Sequence, residues 1–304
     1  MLGVYRTFAE EWMAMPVLTG VKTDTEKFAG ALRTYAIEGL MQDNKSLQAG
    51  TSHHLGQNFA KAFGVQFQTA TGGLEHVWST SWGVSTRLIG GLIMTHGDDV
   101  GIVCPPKLAP TQVVIVPIYR TDAEREAVMQ VAEGVAKELR AAAVRVEVDA
   151  RDGMKPGAKY YEWEGRGVPL RLEVGPKDVA KGQVFAARRT GGKAPIPLNE
   201  LVDGVRRTLG EIQSGLFRAA TERRDTNSRR GVTKDELVAM MGGPGGFAYG
   251  GFCGGRPCED AIKEATKATV RVLPDEEFRS PTPPASCVWC GAPSLVEAVW
   301  AKAY

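Results

Sequence analysis

The sequence has little that would anchor, export or cross-link it. No apolar run approaches the ~18 residues of a membrane span, and the first residues lack the basic-then-apolar layout of a signal peptide. Internal repeats and low-complexity tracts are missing too. Net charge is only +2, so any nucleic-acid contact has to come from local basic patches. Five cysteines in 304 residues are too few for a disulfide scaffold of this size. Without an export signal they are expected to be reduced thiols in a cytoplasmic protein. With 43% hydrophobic and 24% charged residues, the chain is no disordered segment and is long enough for two or three domains.

What is abundant is glycine, 36 residues, beside 17 prolines, which indicates many sharp turns. The chain divides into three stretches, 1–106, 107–212 and 213–304. The first mixes a helix over 2–15, ended by Pro16, with strand patterns at 28–41, 47–51 and 77–81. Helical patterns at 56–63 and 86–94 are interleaved, and a proline-rich turn at 104–110 closes the stretch. The second opens with VVIVPI at 113–118, the pattern of a strand buried on both faces. Thr121 and Glu124 have capping-box spacing before a helix reaching Ala142. Strands at 144–148, 170–174 and 183–189 and an amphipathic helix from 198 complete a small α/β domain. In the third stretch Thr233 and Glu236 repeat the capping-box spacing. A glycine-rich segment then leads to the cysteines, and the chain closes on aromatic-rich residues 300–304.

Three constellations carry chemistry. Cys253 and Cys258 flank a glycine-rich knuckle, CGGRPC, and Cys287 and Cys290 form a CxxC followed by Gly291. Two short loops that supply two thiolates each suit tetrahedral zinc, and four cysteines leave no open position, so the ion would be structural. The second constellation is LQAGTSHH at 47–54, where small residues would let Gln48, Thr51 and His53 approach a ligand. The plainer alternative is a polar strand edge running into a helix cap. The third is SWGVSTRLIG at 81–90, which puts Arg87 in the first turn of an apolar helix. A helix dipole disfavours a cation there, so Arg87 is best explained by an anion gathered at that end. The alternative is an ion pair with Asp98 or Asp99.

Taken together, EKFAGA at 26–31, LQAGTSHHLGQNFAKAF at 47–63, SWGVSTRLIGGLIMTHGDD at 81–99 and PPKLAPTQVVIVPIY at 105–119 carry a family resemblance. KPGAKYYEWEGRGVPLRLEVGPKDV at 155–179, the cysteine quartet and the closing WAKAY belong to it as well. The chain resembles prolyl-tRNA synthetase, a class II aminoacyl-tRNA synthetase, of the archaeal and eukaryotic type with a C-terminal zinc-binding domain.

The resemblance implies a multidomain α+β and α/β fold. Residues 1–106 would be part of an antiparallel-sheet catalytic domain, 107–212 an α/β anticodon-binding domain and 213–304 a small zinc-binding α+β domain. It implies a proline–tRNA ligase that activates L-proline with ATP and magnesium, forms prolyl-adenylate and transfers proline to tRNA(Pro), as a cytoplasmic homodimer. Arg87 and Ser85 match contacts to the nucleotide, Arg87 at the γ-phosphate. Gln48 and Thr51 match contacts to ATP and its magnesium, and His53 and Trp82 match the proline pocket. No nucleophilic side chain is expected, because such sites act by orientation and by charge placed against the triphosphate. Arg171, Glu173, Lys177, Asp178, Arg188 and Arg189 fall in the strands and loop that match the anticodon-reading region. Glu173 is the most telling of them, because a carboxylate gains nothing from phosphate but accepts from the N1 and N2 groups of guanine. The family's first two motifs have no counterpart in these 304 residues. The chain alone is therefore expected to show negligible proline activation, as a C-terminal fragment. The alternatives are a non-catalytic tRNA-binding protein and one half of a split enzyme.

Overall fold

The computed structural model describes residues 1–304. In chain order the elements begin with α1 (Leu2–Thr7), β1 (Val17–Val21), β2 (Arg33–Leu40), β3 (Ser46–Gly56), α2 (Asn58–Phe63), β4 (Gln66–Gln68), β5 (Leu74–His76), β6 (Ser79–Gly83) and α3 (Arg87–His96). There follow β7 (Val113–Pro117), α4 (Asp122–Ala141), β8 (Val146–Val148), α5 (Pro156–Gly165), β9 (Leu170–Val174), α6 (Pro176–Ala180), β10 (Gln183–Arg188) and β11 (Lys193–Pro197). The last are α7 (Leu201–Thr226), β12 (Ser228–Arg230), α8 (Lys234–Gly242), β13 (Phe247–Phe252), α9 (Arg256–Thr266), β14 (Thr269–Pro274) and β15 (Val296–Ala301). The expected helix over 2–15 is shorter: after α1 it widens into a π turn over Phe8–Trp12.

These elements form two compact units, one built on residues 15–95 and 220–304, the other on 96–219. The first and third stretches of the sequence thus share one unit. The reason is a single eight-stranded sheet, ordered β12-β13-β15-β14-β1-β2-β3-β6, in which β1 pairs antiparallel with β14. Gly20 makes that seam possible, since a Cβ there would lie 2.2 Å from the Leu273 carbonyl oxygen. Beneath it Leu18, Ala36, Phe247, Tyr249, Val272 and Val299 form one apolar core. A buried ionic cluster lies on the same sheet. The Glu38 carboxylate accepts from Lys22 Nζ at 2.7 Å, from Ser46 Oγ at 2.7 Å and from the Arg271 guanidinium at 3.0–3.2 Å. Burial pushes the Lys22 ammonium pKa down.

The other unit is a five-stranded sheet ordered β11-β10-β9-β7-β8, with β7 parallel to both β8 and β9. As its sequence requires, β7 is buried on both faces. Val113 and Ile115 pack with Val128, Ala132, Val135, Ala136 and Leu139 of α4, whereas Val114 and Val116 pack with Trp163 of α5. The Thr121 hydroxyl caps α4 by accepting from the Glu124 N–H at 3.2 Å, as the spacing predicts. No helix of the chain is long and apolar enough to cross a membrane.

Candidate functional site

Strand β3 carries the first group. Its pairing with β2 shifts by one residue between Ile37 and Glu38, a β-bulge. Gln48, Thr51 and His53 lie opposite Glu38, Ala36 and Thr34, alternate residues of β2, so all three share one face. Without the bulge the three-residue step from Gln48 to Thr51 would put them on opposite faces. The Gln48 amide and Thr51 hydroxyl stay half-buried and have no hydrogen-bond partner in the protein.

His53 is held from both sides. Its ring lies 4.8 Å from that of Phe28, and Nδ1 is 3.0 Å from the Thr34 hydroxyl. That hydroxyl already accepts from the Phe28 N–H at 3.0 Å. In the neutral tautomer these partners favour, Thr34 donates to Nδ1 and Nε2–H remains as an outward donor. Burial pushes the His53 pKa below its ordinary value.

On the far side β6 brings Ser81 opposite His53 and Gly83 opposite Thr51. Trp82 pairs with Ser52 and so lies on the other face of the sheet. The expectation that Trp82 joins His53 in one pocket is thus not met by the register, and Ser81 is the neighbour instead. Helix α3 starts at Arg87, whose N–H donates to Ser85 Oγ at 3.3 Å and whose guanidinium donates to the Gln48 carbonyl at 3.3 Å. No carboxylate pairs with Arg87. The alternative partner, Asp98, is engaged by Arg189 at 2.5 and 2.7 Å. An exposed cation with no counter-charge therefore stands at the start of an apolar helix, beside an open row of polar side chains.

The second group is in the α/β unit. Arg171 and Glu173 lie opposite Val114 and Val116, on the face covered by α5. The Arg171 guanidinium is buried between Glu164 at 2.6 Å and Glu173 at 3.0 Å, 3.8 Å from the centre of the Tyr160 ring. Lys193 reaches Glu173 at 3.2 Å. Burial, with the nearby Glu173 charge, raises the Tyr160 hydroxyl to about 12. Nothing local in the sequence marks Tyr160, Glu164 and Lys193 as members of this group. Only the packing of α5 on β9 and the pairing of β10 with β11 bring them together, although the strand-opposed position of Lys193 follows once the hairpin is known.

The remaining residues of this set separate. Lys177 is exposed at the start of α6. Asp178 accepts from the Gly175 N–H at 3.1 Å and from Gln183 at 3.2 Å, a cap rather than an open acceptor. Arg188 pairs with Glu211, away from Glu173. Arg189 is nearly inaccessible and engaged by Asp98 and the Glu164 carbonyl.

The third group is the cysteine quartet. The four Sγ atoms of Cys253, Cys258, Cys287 and Cys290 lie within 4.8 Å of one another. Cys253 is 3.6 Å from Cys258 and 3.9 Å from Cys290. Four thiolates about 2.3 Å from a zinc ion would be about 3.8 Å apart, so the quartet can hold a metal ion. Cys258 is in the first turn of α9 rather than in a loop. The two loops meet because Gly251 lacks a side chain: a Cβ there would lie 2.1 Å from the Ser286 carbonyl oxygen.

The chain is similar to known proteins over its whole length. Residues 112–208 match the anticodon binding domain model, and residues 234–304 match the model of the prolyl-tRNA synthetase C-terminal domain. Among curated proteins, proline–tRNA ligase 2 of Anaeromyxobacter dehalogenans is 49% identical over all of this chain and 62% of its own length. Proline–tRNA ligase of Christiangramia forsetii is 50% identical over all of this chain and 61% of its own. The chain belongs to the prolyl-tRNA synthetase family. A crystal structure of prolyl-tRNA synthetase from Cryptosporidium parvum, complexed with halofuginone and AMPPNP, matches with a TM-score of 0.93 at 35% identity. It covers all of this chain and 64% of that one. The chain thus spans about three fifths of the length of the synthetases it matches.

Proposed function

We propose that this chain carries the nucleotide-, proline- and anticodon-contacting residues of a proline–tRNA ligase, which activates L-proline with ATP and magnesium to prolyl-adenylate and transfers it to tRNA(Pro). The observation that carries this reading is Arg87, a cation without a carboxylate partner, at the start of α3 beside the shared face of Gln48, Thr51 and His53. In this reading Arg87 holds the γ-phosphate, with Ser85 at its base. Gln48 and Thr51 offer an amide and a hydroxyl to the nucleotide and its magnesium. His53 Nε2–H faces the proline pocket, with Phe28 and Thr34 fixing the ring. These groups orient and neutralise; none attacks the substrate. Glu173, held by Arg171 and Lys193, accepts from base N–H groups of the anticodon, with Lys177 at the phosphate. The cysteine quartet would bind zinc, which supplies rigidity and no chemistry. The protein works in the cytoplasm, and the homodimer of the family is the assembly in which we place it.

Proline-dependent exchange of pyrophosphate into ATP tests the reading. The 304-residue chain is expected to bind tRNA(Pro) yet show no exchange, because the family's first two motifs are not in it. Loss of one oxyanion-type donor already costs about 10²–10³ in rate. Exchange by this chain alone would refute that expectation. Failure to bind tRNA(Pro), with the protein folded, would refute the anticodon assignment.

A further inference from the structure

The α/β unit has a second polar crevice, distinct from the Arg171 cluster. In the order β9-β7-β8 the chain runs from β7 outward to β8 and then back across to β9. Helix α4 packs against the Val113 and Ile115 face of β7, and α5 against the Val114 and Val116 face. The loops after β7 and β8 therefore leave toward opposite faces. In open α/β sheets the space outside the carboxyl ends of the strands is where ligands bind. Here it is a cavity of about 290 Å³ lined by Tyr119, Arg151, Asp152, Met154, Lys155 and Lys159, among others. Its size is at the bottom of the range for drug-sized ligands, fit for one base rather than a whole nucleoside triphosphate.

The chemistry of the lining is mixed in a particular way. Asp152 is largely exposed and is aimed by two contacts, accepting from the Tyr119 hydroxyl at 2.9 Å and from Arg125 at 3.3 Å. Arg151 is engaged by Asp149 and Glu162. The Lys159 ammonium is buried on the Asp149 carbonyl at 2.9 Å. Lys155 is exposed and its ammonium has no partner in the protein. A carboxylate held by Tyr119 and Arg125 beside one free ammonium suits a base with N–H donors whose phosphate lies a few ångströms away. Lys159 lines this crevice, and its chain neighbour Tyr160 is the ring beneath Arg171.

We infer that the crevice between β7 and β8 is a second base subsite for the same RNA loop: Asp152 accepts from base N–H groups while Lys155 meets the adjoining phosphate. The inference rests on the anticodon reading of Glu173. It is tested on the full 304-residue chain by fluorescence anisotropy with a labelled anticodon stem-loop of tRNA(Pro), and with a set of loops each carrying one abasic nucleotide. Asp152→Asn, which keeps the shape, is expected to weaken the intact loop about tenfold. Lys155→Ala should reduce the slope of log Kd against log salt by about 0.7. One abasic position should weaken the unaltered protein as much as Asp152→Asn does, and should add nothing to that variant.

The inference is overturned if both variants stay within about twofold while Glu173→Gln weakens binding; the anticodon reading then survives alone. It is also overturned if Asp152→Asn weakens every abasic loop alike, for the residue would then act only through Tyr119 and Arg125. If Glu173→Gln changes nothing either, the anticodon reading falls and takes the crevice with it.

Discussion

The β3 face and the Arg171 cluster are both polar, but they are neutralised in opposite ways. On the β3 face Arg87 has only carbonyl and hydroxyl company, and the Gln48 amide and Thr51 hydroxyl have no partner. In the cluster two cations, Arg171 and Lys193, are set against two carboxylates, Glu164 and Glu173, over an aromatic ring. An uncompensated cation draws its counter-charge from the ligand, so affinity there should fall steeply with salt. A charge-balanced cluster around a buried guanidinium recognises by hydrogen-bond geometry and should be far less sensitive to screening. The first arrangement suits a polyphosphate, the second a base.

Metal removal would separate the two regions most sharply. Zinc binding contributes on the order of 10 kcal/mol to the folding of small zinc modules. Chelation, or Cys253→Ser, should therefore disrupt the packing of α9, β13 and β15 around Trp300. The α/β unit has a core of its own and should keep the Trp163 indole bonded to Asp149 at 2.8 Å. Tryptophan indole resonances read both: the Trp300 signal should move and the Trp163 signal should stay. Joint collapse would mean that the Arg171 cluster depends on the metal.

Next in size is Arg171→Ala. It leaves Glu173 mostly buried without its main partner, which should destabilise the α/β unit by about 3 kcal/mol. Urea unfolding followed through Trp163 measures it. Arg87→Ala should behave in the reverse way. Stability should change by less than about 0.5 kcal/mol, as at other exposed positions. The affinity of the chain for AMPPNP should weaken by about 1.5–3 kcal/mol, the worth of a charge-assisted contact. Equal loss of stability in both variants would erase the distinction between an open and a closed cluster.

How much of this was legible in the sequence depends on where the specifying residues stand. The β7 and β9 strands and the α4 and α8 caps are readable because their signals are local: an apolar run, or a Thr–Glu pair three apart. Helix α5 is not. Its buried positions are Lys159 and Trp163, and a buried lysine defeats any apolar periodicity. Strand β13, FAYGGF, looks like a glycine loop but is buried throughout, because Gly251 admits the Cys287 loop. The β3 bulge and the face taken by Trp82 belong to registers between strands, which no single segment encodes. The cysteine spacing and the Arg87 position were legible as chemistry, whereas Arg189, engaged by Asp98, could not be told from an open cation.

The smallest expected effect concerns protons, and it too divides the two regions. Burial lowers the His53 pKa below the ordinary value near 6.5. Between the folded and unfolded values the unfolded chain binds more protons, so stability falls as pH drops through that window and is fully present above it. In the α/β unit, hydrogen bonding by Arg151 outweighs burial and holds Asp149 well below the usual carboxylate range. Its contribution is present above about pH 4 and is lost only as pH falls toward the depressed value. Thermal melts from pH 7 to 5 should therefore weaken the sheet that carries His53 before the α/β unit responds, and His53→Gln should flatten that first decline. If the α/β unit weakened first, or if His53→Gln left the profile unchanged, a neutral His53 with an outward Nε2–H would be the wrong description of the β3 face.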